Sequence, residues 1–274
     1  MAVPALFDQK TPGDNTERAY WLARACDLAY KESPVIEAQA NTWGFPRVWH
    51  HETAFTPPFP LQDTQAYTMA GPHMVVTAFR GTEPAQIKDW LTDTSTPPAP
   101  GPGGVGYVHY GFAEALASIL PTVRTAIEEL RTDGQRVYFT GHSLGGALAM
   151  LAAARMSMES PRLAADGVYT YGQPRTCDRL LAAACNKGLK DRVFRFVNNN
   201  DIVPTLPPEP AFTHVATLRY IDSAGRLHTT PPALLSHLAD KAAGFTADTF
   251  APASDGVRDH FMASYLTALE KNLA

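Results

Sequence analysis

The stretch Gly141-His142-Ser143-Leu144-Gly145-Gly146 sets a hydroxyl two residues after one glycine and two before another. That spacing suits a nucleophilic serine. The attacking residue must stand on a tight strand-to-helix turn, where side chains two positions away would collide with neighbouring backbone. The turn also leaves the Leu144 N–H at the start of a helix, where the dipole favours developing negative charge. Taken alone, Gly-x-Ser-x-Gly is a weak pattern, and a plain Gly-rich turn would also produce it. Its flanks strengthen it: residues 136–140, RVYFT, read as a strand, and residues 144–158 as an Ala-rich helix.

Acyl chemistry at such a serine needs a second oxyanion donor, an acid and a base. Residues 75–82, VVTAFRGT, read as a strand ending in Gly-Thr, so the Thr82 backbone N–H is the candidate donor beside Leu144. A simple turn is the alternative there. The acid and base should follow the serine in the order Asp or Glu, then His. The strand 193–197 runs into Asn200-Asp201-Ile202-Val203-Pro204, which puts Asp201 on a loop at the functional edge of the sheet. Asp178, Asp191 and Asp222 are weaker rivals, and an Asx turn is the plain alternative for Asp201 itself. Of His214, His228, His237 and His260, the last lies in a polar-to-helical transition near the chain end, where an imidazole can hang over the sheet. Position favours His260 but leaves His214 and His237 open.

These residues must be held by regular elements. Helical periodicity appears over residues 15–31 and over 110–131, the latter with Phe112, Leu116, Ile119, Val123, Ile127 and Leu130 on one face and Pro121 as a point of bending. Residues 47–55, 65–69, 73–79 and 167–171 read as strands, 178–189 as a helix and 192–197 as a strand. Residues 214–221 and 226–229 form an expected hairpin, and 256–273 a closing helix. Residues 84–91 read as a short helix, and the Pro/Gly-rich stretch 94–106 as a surface loop. Alternating strands and helices imply an α/β fold: a mostly parallel central sheet covered on both faces. A single domain over residues 1–274 is expected, since no long linker divides the chain.

Lys+Arg number 23 and Asp+Glu 27, and no run of five like charges occurs, so nothing points to nucleic acid. Three cysteines, Cys26, Cys177 and Cys185, are neither a disulfide framework nor a metal cluster and read as free buried thiols. No carboxylate cluster has calcium-loop spacing. No apolar run of about 18 residues suggests a membrane span. Residues 1–10 lack the features of an export signal, so the sequence reads as cytoplasmic by default, with secretion the alternative.

With these residues in hand, the chain resembles the class 3, fungal-type lipases of the α/β-hydrolase fold. The resemblance rests on Phe79-Arg80-Gly81-Thr82, Asp89-Trp90, Tyr110-Gly111-Phe112, the segment GHSLGGALA from Gly141, Tyr171-Gly172-Gln173-Pro174-Arg175, Asn200-Asp201-Ile202-Val203-Pro204, and Asp259-His260 with Tyr265. It implies Ser143, Asp201 and His260 as a catalytic triad, Thr82 and Leu144 as oxyanion donors, and a short helical lid within residues 84–106 carrying Ile87, Trp90 and Leu91. It implies no metal or organic cofactor, and an acylglycerol or other ester as substrate at a lipid–water interface. A triacylglycerol lipase is the expectation. A short-chain, phospholipase A1-type or feruloyl-type esterase is the alternative, and a silent fold that only binds lipid or a partner the remote one. Nothing in the sequence demands more than a monomer.

Overall fold

The computed structural model describes residues 15–54, 63–82, 97–132, 134–189, 191–215, 217–229 and 255–273. Its frame is an eight-stranded sheet: β1 (Arg47–Ala54), β2 (Asp63–Ala70), β3 (Met74–Phe79), β6 (Arg136–His142), β7 (Gly167–Tyr171), β8 (Val193–Asn198), β9 (Leu218–Ile221) and β10 (Leu227–His228), in that spatial order. The four inner pairings from β3 to β9 are parallel. The pairs β1–β2, β2–β3 and β9–β10 are antiparallel. This is the mostly parallel α/β sheet expected from the alternating elements.

The register fixes where chemistry can occur. Phe79 pairs with Gly141, His142 with Tyr171, and Tyr171 with Phe196. The C-terminal ends of β3, β6, β7 and β8 therefore stand in one row. The segments that leave them, at residues 80–82, 143, 172 and 199–203, emerge along a single edge, where α/β sheets bind ligands.

Helices cover both faces. On one lie α3 (Tyr110–Leu130) and α4 (Leu144–Glu159); on the other α1 (Thr16–Leu28) and α7 (Met262–Glu270). Asn15 caps α1 by accepting from the Arg18 N–H at 3.1 Å. The expected stripe of α3, Phe112 to Leu130, is buried against the sheet and α4, and the helix runs on through Pro121. Each fully buried Leu, Ile or Phe of that stripe stabilises by roughly 1.5–3 kcal/mol. Alanines fill the middle of α4 and are all buried, which lets it seat closely between sheet and α3.

Several expectations change. A helix not anticipated, α2 (Ser33–Thr42), follows α1 and buries only Ile36 and Ala40. Part of the supposed loop 94–106 is ordered: β4 (Ala99–Pro100) and β5 (Tyr107–Val108) pair antiparallel around a 3-10 turn, Pro102–Gly104. The hairpin strand begins at Leu218 rather than at residue 214. The closing helix is broken at Phe261, whose ψ of 140° is extended, into α6 (Asp255–His260) and α7. The remaining helix, α5 (Arg179–Gly188), is capped by Asp178. All three cysteines are free and buried, as expected. No described helix is long and apolar enough to cross a membrane.

Candidate active site

Ser143 stands between β6 and α4 with φ 57° and ψ −126°, a conformation that costs a side-chain-bearing residue roughly 1–3 kcal/mol. The turn is closed by the Ser143 N–H on Tyr171 O (2.9 Å) and the Gly146 N–H on Ser143 O (3.0 Å). The flanking glycines are sterically required. A Cβ on Gly141 would strike the Gly145 carbonyl, and one on Gly145 the carbonyl of Phe79. Leu144, first residue of α4, has no helical acceptor for its N–H.

Asp201 is buried just beyond β8. Both its oxygens lie 2.9 Å from His260 Nδ1, Tyr265 donates its hydroxyl to Oδ2 (2.6 Å), and the Val203 N–H donates to Oδ1 (3.0 Å). Tyr265 in turn accepts from the Asn198 N–H (3.0 Å). Burial, then the Asp201 charge, hold the Tyr265 phenol well above its usual range, so it stays a donor. His260 ends α6 and is buried. Its place follows from Asp259, which accepts from Asn199 Nδ2 (2.9 Å) and the Asn200 N–H (3.1 Å) and ties α6 to the loop after β8. With Nδ1 facing a carboxylate, His260 presents Nε2 as its lone-pair nitrogen. Among the described residues, neither that Nε2 nor Ser143 Oγ has a hydrogen-bond partner, although both are buried.

Thr82 follows Gly81, where a Cβ would lie 2.6 Å from the His142 carbonyl and 3.2 Å from the Ser143 Cβ, so only glycine fits there. Structure therefore brings Ser143, Leu144, Thr82, Asp201 and His260 to one edge. Ile87, Trp90 and Leu91, the lid candidates, lie outside the described residues, as does His237.

The rivals have other work. Asp178 caps α5 through the Leu181 N–H (2.9 Å). Asp222 closes the β9–β10 turn on the Ala224 and Arg226 N–H groups (both 2.9 Å) and holds His228 (2.9 Å). Asp191 takes a positive φ of 62° in the turn before β8. His214 bonds the Pro204 carbonyl (2.7 Å), whereas the imidazole on Asp201 is that of His260.

Two residues escaped the sequence reading. His142 Nε2 lies 2.7 Å from the His260 carbonyl, and its Nδ1 lies 2.9 Å from the Tyr30 hydroxyl. A lone tyrosine at the end of α1 carries no signal for this. His142 was visible only as the variable position of the serine motif.

A model of the family described as lipase (class 3) matches residues 76–211. The chain belongs to the class 3 lipase family. Among curated relatives of this class 3 member, a triacylglycerol lipase OBL1 of Arabidopsis thaliana is 31% identical, over 67% of this chain and 44% of that protein. A lipase of Rhizomucor miehei is 33% identical, over 54% and 42%. The chain spans less than half the length of these relatives. In fold it is similar to the native Rhizomucor miehei lipase propeptide complex, with TM-score 0.62, 23% identity and coverage of 92% and 82%. A lipase of Rhizopus microsporus var. chinensis gives TM-score 0.60, 22% identity and coverage of 94% and 91%.

Proposed function

We propose that this class 3 family member hydrolyses carboxylic esters, with acylglycerols as the preferred class, through Ser143, Asp201 and His260. The observation that carries the reading is the orientation of His260. Asp201 holds Nδ1, which leaves Nε2 as the basic nitrogen on the edge where Ser143 stands.

In the proposed reaction His260 Nε2 takes the Ser143 proton as Oγ attacks the ester carbonyl. Asp201 stabilises the resulting imidazolium, and the Leu144 and Thr82 N–H groups receive the oxyanion. Collapse breaks the ester C–O bond while His260 returns the proton to the leaving alcohol. Water, deprotonated by the same nitrogen, then releases the acid from the acyl-serine. Each step uses side chains and backbone N–H groups of this chain with water, and the chain works as a monomer in this reading.

The preference for acylglycerols draws on the relatives' names and on the sequence of residues 84–91, where Ile87, Trp90 and Leu91 would meet a lipid surface. The test is hydrolysis of glycerol and nitrophenyl esters of rising chain length, dissolved and emulsified, by wild type and Ser143→Ala. Long-chain emulsified esters should be cleaved, and the variant should lose about 10⁴-fold or more in kcat. Activity on dissolved short esters alone would reduce the function to that of an esterase. An unchanged rate in Ser143→Ala would overturn it.

A further inference from the structure

Beneath the loop that follows Asp201 lie two arginines that catalysis does not use. Arg195, on β8, is 8% exposed, and Arg175, after β7, is 6% exposed. Arg195 pairs in register with Thr170, whose Cβ faces α4 beside Gly146. The Arg195 side chain therefore points under the sheet's α4 face rather than to open solvent. Arg175 donates to the carbonyls of Thr205 and Pro207 (3.0 Å to the latter), and His214 to that of Pro204 (2.7 Å). Arg175 and His214 thus hold the 203–207 turn, and Arg195 lies close enough for its charge to act on both.

The cluster is short of negative charge. A guanidinium stays protonated, and a buried charge is costly unless it is paired. Arg195 Nε has no hydrogen-bond partner, and among the described residues no carboxylate stands within ion-pair distance of Arg195. Among the described residues Arg175 reaches one carboxylate, Glu209, at 3.8 Å, and that side chain is half exposed. Its own Nε, Thr170 Oγ1 and Gln173 Oε1 are also buried without a hydrogen bond. Two buried cations, each with an unmet Nε, call for a guest, and the uncompensated charge sets its sign. His214 is excluded as a ligand, because Nε2–H is spent on Pro204 and its Nδ1 offers a lone pair. Burial and the two arginines hold that imidazole neutral.

We propose that Arg175 and Arg195 form a buried site for a small monovalent anion, a halide or a carboxylate of formate size, which braces the 203–207 turn. The turn begins at Val203, whose N–H holds Asp201 Oδ1, so the anion would stiffen the acid's support from below. The site is separate from Ser143, and its existence does not depend on ester hydrolysis.

The test is thermal unfolding of the full chain in sodium methanesulfonate, with chloride, bromide or formate substituted at constant ionic strength. The wild type should show a saturable rise in Tm of roughly 3 °C or more, as ligand linkage requires. Arg195→Gln should lose that rise while keeping the general salt response. A flat wild-type profile, or an equal rise in Arg195→Gln, would overturn the proposal. Chloride without formate would make the site halide-selective; both acting would extend it to carboxylates. Should Arg195→Gln fail to fold, crystals of the wild type soaked in bromide decide: an anomalous peak contacting both guanidinium groups supports the site, and none there refutes it.

Discussion

His142 donates its Nε2–H to the backbone carbonyl of His260 at 2.7 Å, and the two imidazole rings lie 4.6 Å apart. A carbonyl only accepts, so Nδ1 of His142 is the unprotonated nitrogen and accepts a hydrogen bond from the Tyr30 hydroxyl at 2.9 Å. Burial, then the nearby His260 charge, hold His142 far below the usual imidazole range, which keeps this tautomer neutral. Tyr30 also abuts the Cα of Gly81 in the candidate oxyanion loop. One short relay thus ties the end of α1 and the oxyanion loop to the base.

Removing one hydroxyl tests the relay. Tyr30→Phe should fold normally and lower kcat roughly 3–10-fold with little change in KM, the cost of one hydrogen bond at a positioned base. Nitrogen-15 spectra should show His142 as the Nε2–H form in wild type and a mixture in the variant. Equal kcat in both proteins would reduce the relay to packing.

Gly172 meets the site from β7. At φ 58°, a Cβ there would sit 2.7 Å from Asp201 Oδ2 and from His260 Nδ1 and Cε1. Gly172→Ala should therefore push the imidazole off its carboxylate. A fall in kcat of about 100-fold with a cooperative unfolding transition retained is expected. Near-wild-type kcat would mean that the acid–base pair tolerates displacement.

What the sequence made legible follows from physics that is local. The serine turn announces itself because only glycine fits at 141 and 145, and Asp201 because a strand delivers it to the same edge. The break at Phe261 was hidden, since residues 256–273 carry helical periodicity without Pro. It is imposed from outside: Asp259 is tied to Asn199 and Asn200, while α7 packs against α1. Helix α2 buries two apolar side chains, too few for a periodic signal. The Tyr30–His142 contact joins residues 112 positions apart, a relation no spacing rule contains.

The thiols yield a simpler expectation. Burial pushes the Cys177 thiol up to about 11, that of Cys185 up to about 12, and that of Cys26, bonded to Thr140 Oγ1 at 3.1 Å, above the usual thiol range. At pH 8 all three are protonated and sheltered, hence poor nucleophiles. Ellman's reagent should find no fast-reacting thiol in the native chain and three in guanidinium. A single fast thiol before denaturation would contradict the buried placement of one cysteine.

His51 sets an acid limit on stability. Its Nδ1 lies 3.1 Å from Thr122 Oγ1, which spends its own proton on the Ile119 carbonyl, so Nδ1 donates. Nε2 then accepts from Thr68 at 2.9 Å, and Thr68 accepts from Thr77 at 2.8 Å. A second proton on this ring would break that chain. Burial, and then the neighbouring His50, push the His51 pKa down to about 4 from an ordinary 6.5. Between those values the unfolded chain binds a proton that the native one refuses, so stability is intact above about pH 6.5 and falls as pH drops toward 4. The loss from this group is roughly 2–3 kcal/mol between pH 7 and pH 4.5. His142 and His214 shift in the same direction and add to it. Urea unfolding at the two pH values should show the drop in wild type. His51→Gln, which cannot take the proton, should be less stable at pH 7 by about 1–2 kcal/mol for its lost hydrogen bonds, yet lose less on acidification. A variant that loses as much as the wild type would assign the acid sensitivity to the other buried histidines.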